Sequence, residues 1–221
     1  MELSVIYNAK VFALFEVAEL FSGRFDIFPK MIVSLVQRYN IRKPPQTIEE
    51  LDFQKGIKFL YGQFEETPID EIALWDNGII IDTKTSAEKS EHILENMLTW
   101  GAEVWGLKYR PEMIKRKIYL SSVSFRSDVP LESINPQLRK LSERVTEIAS
   151  KHVGHKLQFD VTQIGFYYDP TSTKLKLPFL TIERREDTPF SENKYYSSAP
   201  LPTDEHLKFL SDFEAILTGT H

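Results

Sequence analysis

The spacing of apolar residues predicts an α+β fold, a mainly antiparallel sheet with helices on one face. Three observations carry this. Asp76-Asn77-Gly78 separates two apolar runs, 69–75 and 79–85, and Asn-Gly is a strong hairpin signal because both residues accept the positive φ of a type I′ turn. Helical stretches follow hairpins instead of alternating with single strands, which places helices on one side of a sheet. The element order β-α-β-β-β-α is also met twice along the chain. The preferred arrangement is a single 1–221 domain in which two similar halves, 1–110 and 111–221, form one curved sheet. The alternative is two small domains split near 106–116.

The first segment is dense in apolar residues from Val11 to Phe21, and its aromatic and β-branched content favours a buried strand over a buried helix. Gly23 is expected to end it, with Asp26 and Pro29 opening a helix. Phe28, Ile32, Leu35, Val36 and Tyr39 then fall at helical spacing, and Pro44-Pro45 stops that helix. A strand over 57–64 and the hairpin follow. Taking Asn77 and Gly78 as the turn sets Glu71 opposite Lys84 and Ile72 opposite Thr83. Thr85 and Glu88 fit a capping box for a helix through Ile93, Leu94, Met97 and Leu98, ended by Gly101 or Gly106.

The second half begins with a strand over 117–126. Asn135-Pro136 reads as cap and first helical residue, and Gly154 as the C-terminal cap. Leu138, Leu141, Val145, Ile148 and His152 form one stripe, expected to be buried. Segments 157–168 and 174–185 suggest a second hairpin around Asp169-Pro170, with Pro178 placing its strand at an edge or bulge. Residues 187–202 contain three prolines and three aromatics, a composition that reads as a long anchored loop. Thr203 caps a last helix, with Leu207, Leu210, Phe213 and Leu217 facing inward.

Composition narrows the chemistry. The chain has 221 residues, 42% of them hydrophobic, and no cysteine, which removes disulfides, thiolate metal sites and cysteine nucleophiles and fits a reducing compartment. The start Met1-Glu2 lacks the positive charge of a secretory leader. The longest apolar stretch, interrupted by Glu16 and Glu19, falls short of the ~20 residues of a membrane span. A cytoplasmic protein without membrane contact is expected. The formal net charge is −5. Residues 1–110 carry 12 basic against 17 acidic side chains and residues 111–221 carry 15 against 15. That balance disfavours a protein that coats a polyanion.

Three functional readings follow. In the first, the chain is a non-enzymatic binding or assembly module that meets a protein partner or a second copy through Phe190, Tyr195 and Tyr196. Trp75, Trp100 and Trp105 then form an aromatic pocket or partner surface, or else pack in the core. In the second, Asp70, Glu71, Asp82 and Lys84 gather at one end of the hairpin as a Mg²⁺-dependent nuclease or phosphodiesterase site. Carboxylates would hold the hard cation and the lysine would steady water or developing charge. The plainer account of the same residues is a cross-strand ion pair. In the third, Lys115, Arg116 and Lys117, with Tyr119, Phe125, Phe166 and Tyr168, form a single-strand nucleic-acid platform. No cofactor is expected outside the nuclease reading. His152 and His155 are three apart but separated by Gly154, so a metal pair is not expected. A serine elbow, a P-loop and a dinucleotide-binding glycine motif are absent from the sequence.

Overall fold

The computed structural model describes residues 1–21 and 27–219. Gly23 and Asp26, expected as boundary residues, and His221 lie outside the described residues. The strands are β1 (Glu2–Leu14), β2 (Ile57–Phe64), β3 (Thr67–Trp75), β4 (Gly78–Thr83), β5 (Arg116–Arg126), β6 (Gln163–Phe166), β7 (Leu180–Arg184) and β8 (Lys194–Ala199). The helices are α1 (Val17–Phe21), α2 (Phe28–Arg38), α3 (Ala87–Trp105), α4 (Pro136–Val153) and α5 (Thr203–Thr218). The strands form an eight-stranded antiparallel sheet in the order β2-β3-β4-β1-β5-β8-β7-β6. The α+β class is therefore as expected. So is the element order, apart from the added short α1.

The chain divides into two compact units. An N-terminal unit holds Ile6–Ser121 and Leu201–Asp204, and a C-terminal unit holds Met1–Val5, Ser122–Pro200 and Glu205–His221.

In the N-terminal unit, β2, β3 and β4 make a meander, and β4 pairs with β1 from Ala9↔Thr83 to Leu14↔Gly78. Alternation sends Val11, Ala13, Ile57, Phe59, Ile72, Leu74, Ile79 and Ile81 into the core. Ile93, Leu94, Met97 and Leu98 of α3 join them, as their helical spacing predicts. Tyr39, at the end of α2, is buried in the same core and holds Asn96 of α3 through its hydroxyl at 2.9 Å.

Two local expectations are corrected here. The hairpin turn is Asp76-Asn77, one residue earlier than expected, so Glu71 faces Asp82 and Ile72 faces Ile81. The cause lies in the neighbouring strand. A Cβ on Gly78 would come within 2.2 Å of the Ala13 carbonyl oxygen, so the glycine serves the close approach of β1 and not the turn. The turn carbonyls in turn accept the amides of Phe15 (3.1 Å, to Asn77) and Val17 (2.9 Å, to Asp76). The α3 cap is Ser86, whose hydroxyl accepts the Lys89 amide at 3.2 Å. Thr85 instead donates to the Thr83 hydroxyl at 3.0 Å. Gly106, with φ 65°, closes α3, while Gly101 is buried inside the helix against Leu107.

In the C-terminal unit, β6-β7-β8 form an antiparallel meander from Gln163↔Glu183 and Thr181↔Ser198 onward. The expected second hairpin is present with shorter strands and a longer connection. Pro178 precedes β7, which lies between β6 and β8, so β6 and not the Pro178 strand stands at the end of the order. The proline-rich stretch 187–202 is not a long loop. Its middle is β8, in which Tyr195, Ser197 and Ala199 alternate inward. Asn135 caps α4 by accepting the Gln137 amide at 2.9 Å, with Pro136 first in the helix and Gly154 at its end. The α4 stripe, however, is not buried. No α4 residue is, and Leu141, Val145 and Ile148 are 65%, 41% and 45% exposed.

Candidate functional site

The end of the first hairpin brings several sequence-chosen residues together, though not in the expected pairs. On one face, Lys58, Glu71, Asp82 and Lys10 run across β2, β3, β4 and β1. Lys58 and Lys10 approach Glu71 at 3.3 and 3.9 Å, and Lys10 approaches Asp82 at 3.2 Å. Asp82 is 1% exposed, and its other oxygen accepts the Ala9 amide at 3.1 Å. Burial, outweighing those two partners, raises the Asp82 carboxyl above the usual carboxylate range. Both oxygens are thus engaged by the protein. Among the described residues no three His, Asp or Glu side chains are placed to hold a metal ion. Lys84 does not pair with Glu71. It meets Asp70 at 3.0 Å, and that carboxylate raises its pKa.

Asp70 and Lys84 line a cleft of about 250 Å³ together with Arg42, Tyr61, Gln63 and Ile69. A break in the β2–β3 ladder positions it. Tyr61 takes left-handed backbone, φ 59°, and the pairing skips from Leu60↔Glu71 to Gly62↔Ile69. Buried positions on β3 then change phase: Leu74 and Ile72 are two apart, Ile72 and Ile69 three apart. Ile69 stays in the core while Tyr61 and Asp70 turn to the cleft. The flanking chain locks this geometry, because the Arg42 amide donates to the Tyr61 carbonyl at 3.1 Å and the Gln63 amide to the Tyr39 carbonyl at 2.7 Å. Arg42 and Tyr61 were not legible as site residues. The one signal was Gly62 inside a strand pattern, which marks a bulge or close backbone approach.

The aromatic candidates separate. Tyr195 is 0% exposed, 5.7 Å from the Phe125 ring, and its hydroxyl accepts the Leu131 amide at 3.3 Å. It is a core residue, not part of a partner-facing loop. Phe190 lies under the Arg184 guanidinium at 4.8 Å, and Arg184 pairs with Asp160 at 2.6 Å. Tyr196 is half-buried on β8, opposite Glu183. The three tryptophans occupy different places. Trp75 lies against Gly56, Trp100 packs on Tyr39 and Arg38, and Trp105 borders the core at the end of α3.

The basic run is likewise divided. Lys117 binds Glu91 and, at 3.0 Å, Glu95 of α3, and the Tyr119 hydroxyl donates to Glu91 at 2.8 Å. Lys115 and Arg116 remain exposed. Phe125 is buried, and Tyr168 donates its hydroxyl to the Leu175 carbonyl, so the expected stacking aromatics do not share one open face.

An exposed apolar surface lies elsewhere. Across the fifty residues 132–181 no side chain is buried. Nine large apolar ones are exposed there, among them Leu141, Val145, Ile148, Phe159, Tyr167 and Phe179. The Tyr167 ring lies tilted against those of Tyr168 and Phe179, at 4.3 and 4.1 Å between ring centres. Along α4 the next strip of the helix carries Lys140, Arg144, Glu147 and Lys151, with Arg144 paired to Glu147 at 2.6 Å. No described helix is long and apolar enough to cross a membrane. Comparison with models of known protein families and with curated proteins matched nothing.

Proposed function

We propose that the chain is a non-catalytic binding module that engages a protein partner through α4. The carrying observation is the exposed Leu141–Val145–Ile148 stripe within fifty residues that bury no side chain. Contiguous apolar surface of this kind, with a charged border, is the usual mark of a protein contact. Its border of Lys140, Arg144, Glu147 and Lys151 keeps a positive excess even with Arg144 paired to Glu147, and this suits a partner helix with an apolar ridge and an acidic flank. The phosphodiesterase reading has weaker support, because Asp82 and Glu71 already carry protein partners.

The test uses two synthetic amphipathic helices with the same leucine ridge, one flanked by glutamates and one by lysines, titrated by fluorescence anisotropy. The acidic peptide is expected to bind, more weakly as salt rises, and to lose at least tenfold affinity for the Leu141→Glu/Ile148→Glu variant. Equal binding of both peptides, or no effect of the variant, overturns the proposal. A mass that climbs with concentration in light scattering would assign the stripe to a second copy instead.

A further inference from the structure

We infer that the cleft at the end of the β2–β3–β4 hairpin is a binding site for a monocarboxylate carried on a flat, apolar group, with Arg42 and Lys84 holding the carboxylate and Tyr61 covering the ring. This stands apart from the α4 surface and from the partner proposed for it.

The backbone of Tyr61 is strained, with φ 59°. A bulky side chain in left-handed conformation inside a strand is unfavourable, and glycine would relieve it. Such strain is retained where surrounding structure compels it, and it collects at ligand sites. Burial does not compensate it here, since Tyr61 is 53% exposed. The hydrogen bonds that fix the kink use the backbone of residue 61 and not its ring. The phenol therefore does its work on the cleft side.

The charges define the other half of the ligand. Arg42 lines the cleft with no ion pair among the described residues, while Lys84 is paired with Asp70 at 3.0 Å. Two cations and one carboxylate leave a single positive excess, which matches a monoanion. A phosphate dianion would exceed that single positive charge and leave one negative charge unmatched. The guanidinium offers the two parallel donors that a carboxylate accepts. At about 250 Å³ the cleft lies below the ~300–1,000 Å³ of sites for drug-sized ligands, so a single ring is the appropriate size.

The test is titration of the whole chain, followed by amide chemical shifts, with benzoate, inorganic phosphate, acetyl-Gly-Phe and its C-terminal amide. Benzoate is expected to bind at about millimolar strength and to shift the amides of residues 42, 61–63 and 84. Arg42→Gln and Tyr61→Gly are each expected to weaken it at least tenfold. Tyr61→Gly should do so without lowering the thermal midpoint, because it also removes the left-handed strain. Binding of acetyl-Gly-Phe but not its amide would place the carboxylate at a peptide end; tighter binding of benzoate would place it on a free small acid. Three results overturn the inference: no shift with any carboxylate, phosphate binding as well as benzoate with no loss in Tyr61→Gly, or a midpoint that falls by more than about 4 °C in Tyr61→Gly, which would make the ring a structural support.

Discussion

At the scale of single residues, His206 illustrates how a buried polar group ties pH to stability. It is 0% exposed, and its Nε2 lies 2.8 Å from the Ser197 hydroxyl. That hydroxyl gives its proton to the Thr181 carbonyl at 2.7 Å, so the imidazole donates and stays neutral, leaving Nδ1 buried without a hydrogen-bond partner among the described residues. Burial lowers the His206 pKa from 6.5 to about 4. The unfolded chain therefore binds the proton first as pH falls. The folded state has its full stability above pH 6.5 and loses it progressively down to about pH 4, by about 3 kcal/mol in all. Urea melts across this range are expected to show a shallower pH slope for His206→Gln than for wild type. A matching slope would mean that other groups carry the acid sensitivity. In the sequence this histidine stands in the first turn of α5 beside Asp204 and Glu205, a place that reads as capping or surface. Its burial depends on β8, which the proline-rich composition around 187–202 concealed.

At the scale of elements, local signals were legible and distant ones were not. Asn135-Pro136 and Gly154 bound α4 as their chemistry requires, and Gly106 ends α3. The errors at 77–78 and 85–86 are each one residue long; the first has a tertiary cause and the second a local one. Gly78 is claimed by β1, more than sixty residues away in the chain, and Thr85 is drawn to Thr83. The corrected cap gives a sharp expectation: Ser86→Ala should lower stability by about 1 kcal/mol in denaturant melts, and Thr85→Ala by less than half of that. The reverse order would restore the Thr85 box. For α4, periodicity revealed the apolar face but could not say whether its cover lies within the chain. The β2–β3 kink that builds the cleft was illegible for a related reason, since only pairing between strands shows that residue 61 has left the ladder.

At the scale of the whole molecule, the two units differ in how deeply they bury their apolar side chains, and this predicts a difference in dynamics. The β2–β3–β4 meander lies under α3 with Ile57, Phe59, Ile72 and Ile81 almost wholly excluded from water, whereas residues 132–181 bury nothing fully. Hydrogen exchange should be slowest for amides of β3 and β4 and faster by orders of magnitude along α4 and β6. Protection of α4 equal to that of β3 in the isolated chain would contradict the open surface described above. Neither unit is a continuous stretch: the N-terminal unit takes Leu201–Asp204 from far downstream, and the Ala87 amide finds its acceptor in Thr203, 116 residues later, at 2.9 Å. On a ribosome adding about 5–20 residues per second, the start of α3 would wait roughly ten seconds for that acceptor. During that interval a nascent chain already contains the core residues Val11 to Leu107 and lacks only the acceptor that closes the start of α3, so this unit can bury its apolar side chains before its last backbone donor is satisfied.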